Sequence, residues 1–162
     1  MSGGENDAQS RFPVAIALGS NLGDRREHLA YGVRAISQHL SNPRASAFIE
    51  TVAVDVAPDH PRYLNGAVVG TTTLSPRELL DRLMAIEKER GRQRPFPMAP
   101  RTLDLDLILY GSLVIDGPGL TVPHPRFRAR RFVLAPLAEI APEWRDPISG
   151  LTVAELLRGL KA

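Results

Sequence analysis

Arg101-Thr102-Leu103-Asp104-Leu105-Asp106-Leu107-Ile108-Leu109-Tyr110 decides how the rest of the chain is read. From Leu103 it alternates with period two, the signature of a β-strand. Leu103, Leu105, Leu107 and Leu109 are expected on one face, and Asp104, Asp106, Ile108 and Tyr110 on the other. Two carboxylates two residues apart on one face lie roughly 6.5–7 Å apart at Cα and repel when ionised and partly buried. Arginines could offset that charge. So could a divalent cation such as Mg²⁺, which prefers carboxylate oxygens and keeps positions open for phosphate and water.

The arginines are unevenly spread. Lys88 and Lys161 are the only lysines among 20 basic residues, and eight arginines lie between Arg90 and Arg131 (90, 92, 94, 101, 126, 128, 130 and 131). The acidic residues in that interval are Asp104, Asp106 and Asp116. A general preference for Arg over Lys explains the residue type but not the clustering. An arginine excess beside a carboxylate pair points to a metal-bound polyanion, because guanidinium binds phosphate through two parallel hydrogen bonds.

The 162 residues suit one domain with a sizeable core. Apolar content of 43% and charged content of 23% are those of an ordinary globule. No apolar run approaches 18 residues, so no membrane span is expected. The polar Met1–Ser10 stretch lacks a signal-peptide core and reads as a disordered leader, with one domain over 11–162. The absence of cysteine excludes disulfides and thiolate metal sites and suits a cytoplasmic protein.

Outward from the quoted strand, Phe12–Leu18 reads as a buried strand ending at the Gly19–Gly23 loop. Asp24 and Glu27 have capping-box spacing, and Leu29, Val33, Ile36 and Leu40 form one helical stripe, stopped by Ser41-Asn42-Pro43. His28 and His39 on this helix are expected at the surface or its boundary. Ala45–Thr51 reads as a second strand and Val52–Arg62 as a long loop. Tyr63–Thr73 reads as a third strand, where Asn65 either marks a strand end or faces a ligand. Ser75-Pro76-Arg77-Glu78 opens a second helix that stops at Gly91. Gly91–Pro100 is a proline-rich loop before the quoted strand. Leu113–Ile115 reads as a short strand, Thr121–Pro125 as extended, and Phe132–Ile140 as one helix or two broken at Pro136. Thr152 and Glu155 cap a last helix to about Leu160, against which Trp144 packs.

The order β-α-β-β-α-β gives the fold class. It is α+β, a ferredoxin-like antiparallel sheet with helices on one face plus C-terminal additions. In that topology Thr51, Tyr63, Asn65, Arg92, Arg94, Arg101, Asp104 and Asp106 can converge at one sheet end, joined by His124 and Arg130. Carboxylates and arginines suit a metal–polyphosphate. Tyr63, Asn65 and Phe132 suit a flat, hydrogen-bonding heterocycle. A nucleic-acid-binding module of the same fold is the competing class. It lacks the expected sheet-face aromatics, total aromatics being 6%, and its two aspartates would repel a phosphate backbone. A different Asp-x-Asp metal phosphotransferase would share the ligands and differ in its acceptor.

At these residues the sequence resembles the 6-hydroxymethyl-7,8-dihydropterin pyrophosphokinase family over roughly Val14–Ile140. Pro100-Arg101-Thr102-Leu103-Asp104-Leu105-Asp106 carries most of the likeness. Gly19-Ser20-Asn21-Leu22, Tyr63-Leu64-Asn65, Gly91-Arg92 and Val122-Pro123-His124 match in order. The resemblance implies transfer of diphosphate from ATP, the co-substrate, to the pterin hydroxymethyl oxygen with release of AMP. It implies two Mg²⁺ ions on Asp104 and Asp106, and phosphate contacts from Arg92, Arg94, Arg101, His124 and Arg130, with Arg92 and Arg101 catalytic. It implies a pterin sandwiched by Tyr63 and Phe132 and edged by Thr51, Val54 and Asn65. The backbone near Leu107 and Thr121 would hold the adenine and ribose. Cytoplasmic location, a monomer, and no nucleic-acid or membrane partner complete the expectation, and the 52–62 and 92–99 segments are expected to order with ligand.

Three stretches depart from the pattern. Val52-Ala53-Val54 replaces a proline-rich segment, Pro95-Phe96-Pro97-Met98-Ala99 replaces a basic, tryptophan-bearing one, and Pro125 stands where tyrosine is frequent. Glu87 matches a family acid, but its helix position equally permits a structural role. No residue stands out as a general base.

Overall fold

The computed structural model describes residues 10–51, 62–91 and 102–160. Its elements are β1 (Phe12–Ser20), α1 (Arg25–Ser37), β2 (Ser41–Ala45), β3 (Ile49–Thr51), β4 (Tyr63–Thr72) and α2 (Pro76–Arg90). Then come β5 (Asp104–Tyr110), β6 (Ile115–Gly117), β7 (Leu120–Val122), a 3₁₀ turn at Phe127–Ala129, α3 (Arg131–Ile140) and α4 (Val153–Gly159). The main sheet runs β2-β4-β1-β5, with β3 also on β4, and every pairing in it is antiparallel. This is the expected ferredoxin-like order, with the second strand in two pieces.

Apolar side chains leave the sheet on both faces. On one, Val14, Ile16, Leu18, Val68, Leu103, Leu105 and Leu107 pack against Leu29 and Ile36 of α1 and Leu79, Leu83 and Ile86 of α2. Gly32 lets α1 lie close, since a Cβ there would fall 2.9 Å from Leu18 Cδ2. On the other face, Ala15, Ala17, Ala67, Val69, Ile108 and Leu109 meet Phe127, then Val133, Leu134 and Leu137 of α3 and Val153 of α4, with Trp144 alongside. The C-terminal additions thus form a second cover over the sheet face that α1 and α2 leave bare.

Several expectations change. β1 runs through Gly19 to Ser20, because Gly19 is paired on both sides, with Asn65 and with Asp104. Ser41-Asn42-Pro43 opens β2 instead of ending a helix. The sheet edge tolerates Pro43, and Asn42 takes φ 51° beside a register shift between Ser41 and Arg44. The strand expected over Ala45–Thr51 is therefore split, and Ser46 bridges the break by receiving the Ala67 N–H at 2.9 Å. Asp24 caps α1 by accepting Glu27 N–H, while the Glu27 carboxylate lies 3.6 Å from Arg34. Both halves of the Ser75–Glu78 box form on α2. The strand expected at Leu113–Ile115 lies at Ile115–Gly117, paired with β7. Pro136 sits inside a single continuous α3.

A bulge changes the faces of β5. Ala15 pairs with Leu109 and Ile16 with Leu107, so Ile108 is the extra residue. Beyond it the alternation is reset. Leu109 joins the α3 side and Tyr110 the α1–α2 side, the reverse of the expected assignment, and the Tyr110 hydroxyl donates to the Leu74 carbonyl.

Candidate active site

The register of three strands builds the site. Asn65 on β4, Gly19 on β1 and Asp104 on β5 form one row across the sheet, and Ala67, Ala17 and Asp106 form the next. With strands about 4.8 Å apart, polar groups on the outer two strands stand roughly 10 Å apart across a floor of glycine and alanine. A trough results. It closes into a cavity of about 390 Å³ lined by Ala17, Leu18, Gly19, Thr51, Tyr63, Asn65, Asp104, Asp106, Arg130, Phe132 and Val133. Gly19 keeps it open, because a Cβ there would lie 3.0 Å from Asn65 Nδ2 and 3.4 Å from the Tyr63 ring.

The two ends of the trough differ chemically. At the β3–β4 end, the Thr51 hydroxyl donates to Asn65 Oδ1 at 2.6 Å, and Asn65 Nδ2 faces the Leu18 carbonyl at 3.5 Å. The amide is thereby oriented, and Asn65 is buried. A buried, oriented amide on a wall suits recognition of a ring edge that both donates and accepts. Tyr63 and Phe132 line the same cavity as its aromatics. Asn65 is thus no strand end: it is the third residue of a ten-residue strand and faces the cavity.

At the β5 end, half-buried Asp104 and Asp106 line this cavity and also an adjoining one with Glu87, Leu105, His124, Pro125, Arg126 and Arg130. The aspartates stand where the two hollows meet. Leu105 between them is fixed from outside, its N–H donating to Glu87 Oε2 at 2.6 Å. Glu87 therefore holds the strand that carries both aspartates, beside any contact it makes with a ligand. His124 follows a cis Val122–Pro123 bond and docks on the same edge, its N–H donating to the Ile108 carbonyl at 3.0 Å. The bulge residue thus supplies the acceptor that brings His124 beside the aspartates.

Charge around His124 is mostly positive. Burial lowers its pKa, Arg130 and Arg126 lower it further, and Asp104 acts the other way. The Arg126 N–H donates to His124 Nδ1 at 3.2 Å, so the neutral ring carries its proton on Nε2. The Arg130 guanidinium lies 5.5 Å from the Phe132 ring centroid, joining the cationic end to the aromatic wall. Arg130 and Phe132 flank the start of α3. The preceding turn is anchored by Arg128, whose Nη2 donates to the fully buried Asp146 at 2.8 Å.

The sequence of the 7,8-dihydro-6-hydroxymethylpterin-pyrophosphokinase (HPPK) family matches residues 15–142. The chain belongs to this family. That makes it a pyrophosphokinase of folate biosynthesis. A 2-amino-4-hydroxy-6-hydroxymethyldihydropteridine pyrophosphokinase of Synechocystis is 44% identical over 146 residues, covering 89% of this chain and 74% of the relative. The Pseudomonas aeruginosa protein of that name is also 44% identical over 146 residues and covers 89% of each. An HPPK-DHPS structure from Plasmodium falciparum, solved with pterin and p-hydroxybenzoate, superposes with a TM-score of 0.72 over 92% of this chain. At 14% identity that likeness concerns the fold, and the chain spans 43% of that larger protein.

Of the site residues expected from sequence, Thr51, Tyr63, Asn65, Asp104, Asp106, His124, Arg130 and Phe132 come together in the two joined hollows. Arg92, Arg94, Arg101 and Val54 lie outside the described residues, as does nearly all of both loops expected to order with ligand. Leu107 is buried against the α1–α2 side and Thr121 is exposed on β7; neither lines either hollow. Gly19, Ala17, Val133 and Arg126 are lining residues to which the sequence reading gave no role in the site. A glycine inside a strand is the usual signal of close approach, and Gly19 was read as the start of a loop because the strand was expected to stop before it.

Proposed function

We propose that the joined hollows carry out the family reaction with the heterocycle at the β3–β4 end and the nucleotide phosphates at the β5 end. The single observation behind this assignment is the row Asn65–Gly19–Asp104. It sets an oriented amide and a carboxylate on opposite sides of a side-chain-free floor. Thr51 and Asn65 bind the pterin edge, and Tyr63 and Phe132 hold its ring faces. That directs the hydroxymethyl group toward the aspartates. Arg130 and His124 bind and orient the ATP phosphates from the adjoining hollow, with Arg92, Arg94 and Arg101 as their partners from the preceding loop. The backbones of Leu107 and Thr121 support the adenine and ribose, and Val54 adds a pterin contact.

Magnesium fits the aspartate pair. Both donors are hard oxygens and both line each hollow, and two carboxylates leave coordination positions for phosphate and water. Two ions held by Asp104 and Asp106 would neutralise charge on the phosphates when bound. The chain's own contribution is alignment: β5 holds the carboxylates still, α3 presents Arg130 and Phe132, and the trough excludes water from the transferred group. Diphosphate passes from ATP to the pterin hydroxymethyl oxygen, and AMP leaves.

The nucleic-acid reading fares poorly for a structural reason. A ferredoxin-like RNA-binding domain uses the open face of its sheet, and here α3 and α4 bury that face. No helix among the described residues is long and apolar enough to cross a membrane. The proposal is completed by one pyrophosphokinase domain over 11–162, working in the cytoplasm as a monomer. Mixing protein, the hydroxymethylpterin and MgATP should yield AMP and pterin diphosphate in equal amounts. ADP as the product, or no turnover, would reject the assignment.

A further inference from the structure

Glu50 and Arg62 flank the 52–61 segment, and one side chain holds both. Arg25, the first residue of α1, donates through Nη1 to the Arg62 carbonyl at 2.8 Å and sets Nη2 2.9 Å from Glu50 Oε2. We infer that Arg25 is a positioning residue for the heterocycle half of the site, acting through β3 without touching the cavity.

β3 needs such a tie. It has three residues, pairs along one side only among the described residues, and reaches β4 through Ile49–Asn65, Glu50–Leu64 and Thr51–Tyr63. Short edge strands open at low free-energy cost. Glu139 of α3 secures the approach to it by accepting Ala47 N–H at 3.1 and 3.3 Å. Arg25 secures the exit. What depends on the exit is the 2.6 Å bond from Thr51 to Asn65, which decides how the Asn65 amide presents its donor and acceptor. An exposed ion pair contributes little to stability, so the consequence belongs in recognition. Misplacing a binding group by about 1 Å can lower rates by about a hundredfold.

The inference rests on the proposed pterin site, and its test separates the two. Arg25→Gln should raise the pterin KM about tenfold while the MgATP KM stays within about twofold. Arg25→Lys, keeping one donor arm, should recover part of the loss. Arg25→Gln with Glu50→Gln should be no worse than Arg25→Gln alone, because both arms run through Arg25. Amide exchange at 49–51 and 63–65 should quicken in Arg25→Gln relative to 66–72, with or without ligand. An unchanged pterin KM, an equal rise in both KM values, additive losses in the double variant, or unaltered exchange would overturn the role. If Arg25→Gln does not fold, Glu50→Gln alone should still raise the pterin KM about threefold, and no rise overturns the role. Wild-type protein that fails to bind a pterin analogue, with exchange quickened in Arg25→Gln as expected, would instead reject the pterin site and leave the tie standing.

Discussion

At Gly19 the space a methyl group would occupy already lies 3.0 Å from Asn65 Nδ2 and 3.4 Å from the Tyr63 ring. Neither neighbour can easily withdraw, since Asn65 is buried and hydrogen-bonded and Tyr63 begins a paired strand. Gly19→Ala should therefore raise the pterin KM about tenfold in steady-state assays, with the MgATP KM changed less than about twofold. Asp104 acts at the other end of the row. Asp104→Asn keeps its shape and removes a charge from a half-buried strand position, so folding should survive. Turnover should fall about 10³-fold or more if the carboxylate holds the metal. Near-normal turnover at saturating Mg²⁺ would remove Asp104 from the site.

Elements set what the sequence could show. Leading into β5, Leu103 to Asp106 alternate in polarity and their faces were legible. From Leu107 to Tyr110 every residue is apolar, so a one-residue bulge leaves no mark in the pattern. The split edge strand was hidden for the opposite reason: Asn42 and Pro43 look like terminators, but an edge strand has a free side that tolerates them. The turn before α3 depends on a pair that sequence spacing does not reveal, Arg128 with Asp146. Asp146 is fully buried, and hydrogen bonds from Arg128, Ser149 and Ile148 hold its pKa far below the usual carboxylate range despite that burial. A carboxylate depressed on folding stabilises the protein fully above its unfolded pKa, and the contribution is lost as pH falls. Wild-type stability should thus decline below about pH 4. Asp146→Asn should lower unfolding free energy at pH 7 by about 3 kcal/mol and show a shallower acid decline. Urea titrations at pH 7 and pH 3 read both effects, and a parallel decline in the variant would assign the acid sensitivity elsewhere.

Over the whole molecule, one sheet is covered on both faces, and the site lies where the second cover begins. The α1–α2 layer and the antiparallel order followed from hydrophobic period and capping signals. The second cover did not, because Pro136 inside a ten-residue helix obscures its continuity, and an apolar helical stripe does not say which face of the sheet it will meet. Yet that cover carries Arg130 and Phe132, while the sheet carries Asn65, Asp104 and Asp106. A ligand touching both layers ties them together, so binding should raise global stability. At a hundred times its Kd, a non-hydrolysable MgATP analogue should add about 2.7 kcal/mol to the unfolding free energy. For a chain of this size that corresponds to an increase in Tm of about 5–10 °C in calorimetry. Chelating the metal should remove most of the increase, because the phosphates would then face Asp104 and Asp106 without an intervening cation. An increase that survives chelation would mean that the arginines alone hold the nucleotide, and the aspartate pair would need another role.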